Sequence, residues 1–111
     1  MPESGSTWQR PFAAQPIEAR ALRTWIRARS PHPDAAIVAH ELFAAVAAGA
    51  SLVEVAVSTA GTRVQITATS DAADRPTLTG LGHDIVAALA TQSGTTPDGR
   101  GLWALLSGSH P

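Results

Sequence analysis

The segments Leu52-Val53-Glu54-Val55-Ala56-Val57 and Arg63-Val64-Gln65-Ile66-Thr67-Ala68-Thr69 alternate branched apolar residues with polar or small ones. Successive side chains of a strand point to opposite faces, so a period of two marks one buried and one open face. Val53, Val55 and Val57 form the buried set of the first segment, and Val64, Ile66 and Ala68 that of the second. Residues 58–62, with Gly61, read as a turn, which makes the pair an antiparallel hairpin. Such a hairpin needs other elements to cover its apolar face.

The upstream sequence supplies the cover. Pro16 suits a first helical turn, and Ile17, Ala21, Leu22, Trp25 and Ile26 recur at helical spacing up to Ser30. Glu18, Arg20, Arg23 and Arg27 fill the opposite face, as on a solvated helix surface. Pro31-His32-Pro33 breaks this helix, and Asp34 is placed to cap the next. The second helix runs to about Ala48 with Ile37, Val38, Leu42 and Val46 as its apolar stripe, and Gly49 ends it. Before both helices, residues 8–14 alternate around Trp8 and Phe12. This is an edge strand at most, because Pro11 cannot donate within a central one.

Downstream, residues 70–79 form a polar loop, and Gly80-Leu81-Gly82 opens a third helix with Ile85, Val86 and Leu89, ending near Ser93-Gly94. Residues 95–99 read as a turn and 100–106 as a closing apolar strand carrying Leu102, Trp103, Leu105 and Leu106. The expected fold is therefore α+β, a two-layer α/β sandwich with helices on one face of a mostly antiparallel sheet. One domain spans residues 8–106, between a disordered polar segment at 1–7 and a polar tail at 107–111.

Composition narrows the function classes. The chain has 111 residues and a formal net charge of -1, which removes the usual electrostatic reason to expect nucleic acid or an anionic membrane as partner. It lacks cysteine, so disulfides, thiolate metal sites and cysteine nucleophiles are excluded. All eight basic residues are arginine and alanine is abundant, the mark of a GC-rich, actinobacterial-type coding background. No stretch is apolar enough to span a membrane and the first residues lack the pattern of a secretory signal, so a cytoplasmic protein is the default expectation.

Chemistry has few places to sit. Glu41 stands on or beside the apolar stripe of the second helix, either at its margin or placed for a purpose. Asp71 ends a strand, where it either accepts a bond from a ligand or starts the loop by bonding backbone. Gly80 and Gly82 precede a helix, where unpaired N–H groups favour an anion, although a lone Gly-x-Gly is also an ordinary turn. His32, in a Pro-rich turn, and His110, in the tail, read as inert; His40 and His83 have no carboxylate or histidine partner at metal-ligand spacing, and no serine–histidine–acid arrangement is detectable.

The order of these features resembles the histidine-kinase-like (GHKL) ATPase superfamily, most closely the short anti-sigma regulatory factor serine-protein kinases and their stand-alone actinobacterial relatives. Val38-Ala39-His40-Glu41-Leu42-Phe43-Ala44-Ala45-Val46 is similar to the family's helix with Glu-x-x-x-Asn, and Thr69-Ser70-Asp71-Ala72-Ala73 stands at its Asp-x-Gly. Gly80-Leu81-Gly82-His83-Asp84-Ile85-Val86 resembles its second glycine motif, and Gly99-Arg100-Gly101-Leu102-Trp103 its closing strand. The resemblance implies a Bergerat-like ATPase fold that binds ATP and Mg²⁺. It makes Glu41 the candidate general base, Asp71 the adenine acceptor, and Gly80 and Gly82 the phosphate-side turn.

Three positions depart from the pattern. The Mg²⁺-holding asparagine is Ala45, which has no oxygen for a hard cation; the glycine beside the adenine is Ala73; and the adenine-side threonine is replaced by Gly101. The connection from Asp71 to Gly80 is also short for an ATP lid. The resemblance thus implies a regulatory domain degenerate in Mg-ATP binding, acting through a protein partner such as a sigma factor or a sigma-factor regulator. A homodimer formed through the strand near Trp8 to Phe12 also follows by analogy. An active ATP-dependent serine/threonine protein kinase is the alternative, and a small binding module that shares only the architecture is a third reading.

Overall fold

The computed structural model describes residues 5–30, 32–72 and 75–107. In chain order the elements are strand β1 (Gly5–Ala13), a 3-10 turn (Pro16–Glu18), helices α1 (Ala19–Arg29) and α2 (Ala35–Ala47), strands β2 (Leu52–Ala60) and β3 (Arg63–Ser70), helix α3 (Gly80–Leu89), and strands β4 (Gln92–Thr95) and β5 (Gly101–Leu106). The five strands form one sheet in the order β1-β2-β3-β5-β4, with every neighbouring pair antiparallel. The fold is α+β, a helix layer on one face of an antiparallel sheet. No helix among the described residues is long and apolar enough to cross a membrane.

The hairpin is the centre of the sheet. Val53, Val55 and Val57 on β2 and Val64, Ile66 and Ala68 on β3 are all buried toward the helices, as their alternation requires. The strands are longer than expected, because β2 continues through Ser58, Thr59 and Ala60, which pair with both β3 and β1. The remaining two-residue turn has Gly61 at φ +61°, a conformation glycine adopts without a Cβ penalty.

β1 lies at the sheet edge, and all nine of its residues pair with β2. It begins at Gly5, so residues 5–7, expected in the disordered segment, belong to the sheet; the Thr7 and Ser58 hydroxyls share a hydrogen bond at 3.1 Å. Phe12 carries β1 into the core, meeting Trp25 of α1 and Phe43 of α2 edge to face at centroid separations of 5.9 and 6.3 Å.

α2 is the central helix, packed against α1, α3 and the sheet. Val38, Ala39, Leu42, Phe43 and Val46 are buried. Two residues assigned to apolar stripes are instead exposed, Ile17 at 81% and Ile37 at 48%. Ile17 sits in the 3-10 turn, whose three-residue period puts it off the face that α1 buries. Ile37 follows the buried Ala36 and precedes the buried Val38, and the steps of roughly 100° per residue carry it to the helix flank.

Asp34 directly precedes α2, but its side chain makes no capping bond. Its N–H donates to His32 Nδ1 at 3.1 Å, while His32 Nε2 lies 2.8 Å from the Ser107 carbonyl. A carbonyl only accepts and an N–H only donates, so these partners select the neutral Nε2–H tautomer. His32 therefore ties the link between α1 and α2 to the residue following β5.

The third helix ends at Leu89, before Ser93-Gly94, and the next residues form β4, which pairs with β5. Gly94 faces Trp103 so closely that a Cβ there would fall 3.1 Å from the indole nitrogen. The turn to β5 is held by Asp98, which accepts from the Thr96 hydroxyl at 2.6 Å and the Arg100 N–H at 3.0 Å. These bonds and the nearby Arg100 charge hold its carboxyl below the usual carboxylate range.

Candidate functional site

The residues singled out in the sequence gather in part around the α2–α3 contact. Glu41 stands at the half-buried margin of α2 with its side chain 23% exposed, and its Oε2 lies 3.8 Å from His40 Nδ1. Its other oxygen lies against Gly82 in the first turn of α3, where a Cβ would fall 2.8 Å from Oε1. The positive end of the α3 dipole favours a carboxylate at this position. Gly80, the first residue of α3, has φ +58°, so the chain enters the helix through a conformation that selects glycine.

One turn beyond Glu41, Ala45 lines a cavity of about 230 Å³ together with Val46, Ala48, Arg75, Pro76 and Thr77. α2 forms one wall and the loop after β3 the other. The described residues between Asp71 and Gly80 form neither helix nor strand. Arg75, which no sequence motif marked, runs from the cavity toward the β4–β5 turn, where a Cβ on Gly99 would fall 3.3 Å from its Nε.

Asp71 takes a different direction. It follows β3 and is exposed, and its Oδ1 accepts the backbone N–H groups of Ser51 at 2.8 Å and Leu52 at 3.2 Å. Of the two sequence readings for this carboxylate, backbone bonding is the one observed, although the bonds go to the start of β2 and not to the following loop. The Ser51 and Leu52 donors, in that order, hold its carboxyl below the usual range. Asp71 does not line the Ala45 cavity. Ala72, next along, is buried, and its N–H donates to Ser70 Oγ at 3.2 Å. Ala73 lies outside the described residues.

Gly101 opens β5 opposite Thr69 of β3. A Cβ there would fall 2.5 Å from both the Ala68 carbonyl oxygen and Thr69 Cγ2. Glycine at this position lets β5 approach β3, and the Thr69 methyl occupies the space a side chain would need. Glu41, Ala45, Gly80 and Gly82 are thus brought to the α2–α3 side, whereas Asp71 ties the end of β3 to the start of β2 and Gly101 lets β5 approach β3.

Among the described residues, no three His, Asp or Glu side chains gather as metal ligands. No protein-family profile matches the chain, and no curated protein is detectably similar to it.

Proposed function

We propose that the chain is a regulatory domain of the histidine-kinase-like ATPase type, akin to anti-sigma factors, that has lost its hold on Mg-ATP and works by binding a protein. The observation that carries this reading is the contrast between scaffold and pocket. An antiparallel sheet under a helix layer, with Glu41 beside the glycine turn of α3, agrees with the layout that the resemblance implies. The space beside Ala45 does not suit its cargo.

Four features support the loss. The cavity of about 230 Å³ is smaller than the roughly 300–1,000 Å³ of typical small-molecule sites. Ala45 offers a methyl where a hard cation needs oxygen. Asp71 Oδ1 is engaged by two backbone donors. Arg75 and Pro76 stand on the cavity wall where a longer lid would fold over a nucleotide. These residues do not fit Mg-ATP.

The partner class that the resemblance supplies is a sigma factor or a regulator of one. The alternative, a working serine/threonine protein kinase, draws on Glu41 beside Gly82. Incubation of the chain with labelled ATP and extract of its host separates the two. The regulatory reading expects no protein phosphorylated in dependence on the chain, and co-purification of a sigma-regulatory partner. Serine or threonine labelling that disappears in Glu41→Gln would establish the kinase.

A further inference from the structure

Arg10, Arg20, Arg23, Arg27 and Arg29 lie within one short stretch of β1 and α1, and Glu18 is the one carboxylate between residues 10 and 29. No arginine pairs with a carboxylate among the described residues; the ion pairs found there join His40 to Glu41 and His83 to Asp84. The positive charge is thus concentrated on one shoulder of a chain whose net charge is -1.

That shoulder carries an open groove of about 660 Å³ between β1 and α1. Arg10 borders it from the strand and Arg20 and Arg29 from the helix, with Ala21 and Trp25 at its base and Ile17 at its lip. Arg10 pairs with Val55 and so faces the helix layer, yet it is exposed.

Two of the guanidinium groups rest on rings, Arg10 over Phe12 at 4.8 Å and Arg29 over Trp25 at 5.2 Å. Stacking occupies the flat face of a guanidinium and leaves its edge donors to grip a planar carboxylate. Arg29 Nε is buried without a hydrogen-bond acceptor. A buried donor left unpaired is costly, so the Arg29 guanidinium gains if it shifts outward onto an incoming acceptor.

We propose that this groove docks an acidic segment of a partner protein, with carboxylates on Arg10, Arg20 and Arg29 flanking an apolar side chain that sits against Ile17 and Trp25. A nucleic acid is less well matched, since the arginines surround an apolar base instead of lining a continuous phosphate track. The inference rests on the reading of the chain as a protein-binding domain and names the chemistry of its partner.

The test pans a random displayed peptide library on the full chain and titrates the enriched peptides, fluorescently labelled, against wild type, Arg10→Glu/Arg20→Glu and Arg29→Lys. Arg10 and Arg20 are exposed, so the double variant should retain the wild-type Tm. Expected are peptides with two or more Asp or Glu around an apolar anchor, binding that weakens as salt rises, and a loss of about tenfold or more in the double variant. Arg29→Lys keeps the charge but loses the fork, and should weaken binding by a smaller factor.

Failure to enrich any peptide, enrichment of peptides without acidic residues, or equal affinity for the variants would overturn the proposal. So would stronger binding of a random-sequence DNA duplex or of phosphatidylserine–phosphatidylcholine vesicles than of the peptides. A native partner held equally well by the double variant would refute the groove and leave the regulatory reading intact. Binding of Mg-ATP would do the reverse.

Discussion

The Glu41 carboxylate occupies the space that a side chain at Gly82 would fill, with Oε1 2.8 Å from the position of a Cβ there. An anion on α2 thereby stands beside the positive end of α3, on the side where the glycine turn would receive a phosphate. The contact couples the two helices through one flexible side chain and one missing one.

Gly82→Ala tests that coupling. Alanine within a helix is favoured over glycine by about 0.5–1 kcal/mol, but the new methyl must displace Glu41. The stabilisation expected of Gly82→Ala is therefore partly cancelled in the wild type and fully expressed in a Glu41→Ala background. Thermal denaturation of the four proteins of the cycle measures it. An equal Tm shift in both backgrounds would show that the two residues do not interact.

Asp71 should act on stability in a pH-dependent way. Its carboxyl is held below the usual range by the Ser51 and Leu52 N–H groups, so it titrates lower in the folded chain than in the unfolded one. Its contribution is fully present above the unfolded value of about 3.9 and is lost as pH falls through the folded value. The expected result is that Asp71→Ala melts below wild type at neutral pH, with a gap that closes as the medium becomes more acidic than about pH 4. Asp71→Asn retains a carbonyl acceptor and should melt between the two. A gap independent of pH, or none at neutral pH, would contradict the role assigned to Ser51 and Leu52.

Gly101→Thr places at the start of β5 the residue type that the ATPase resemblance expects. Its Cβ would meet the Ala68 carbonyl and the Thr69 methyl, and the backbone oxygen cannot step aside as a side chain can. The substitution is expected to destabilise the fold by about 1–3 kcal/mol, in the range of overpacked sites, without creating nucleotide affinity. Chemical denaturation with a nucleotide titration measures both; an unchanged midpoint would mean that β3 and β5 have more room than the approach at Ala68 implies.

The parts of the fold governed by local periodicity were readable from the chain. Val53 to Val57 and Val64 to Ala68 show a period of two, and Val38, Leu42 and Val46 a helical one, and all are buried as that predicts. β4 was missed because Gln92-Ser93-Gly94-Thr95 has no apolar alternation; it pairs with β5 as the outer strand of the sheet, with Trp103 close over Gly94. Ile17 and Ile37 misled because position on a helix face depends on the turn type and on which flank the neighbours cover.

The site was legible residue by residue but not in its contacts. Glu41 was recognisable at a stripe margin and Asp71 at a strand end, yet their partners, Gly82 in one case and Ser51 with Leu52 in the other, are distant in sequence. Arg75 gave no signal because loop residues carry no periodicity. The arginines of α1 read as a solvated face; the groove that they share with Arg10 of β1, and the packing of Arg10 and Arg29 on aromatic rings, emerge only in three dimensions.

The most direct test of the central claim is calorimetric titration of the intact chain with Mg-ATP, accompanied by Asp71→Asn. With Ala45 beside a cavity of about 230 Å³, the expected result is no saturable heat up to millimolar nucleotide, and none for the variant. Saturable binding within the cellular range of ATP, abolished by Asp71→Asn, would show that the nucleotide site still works and would contradict the regulatory, nucleotide-free reading.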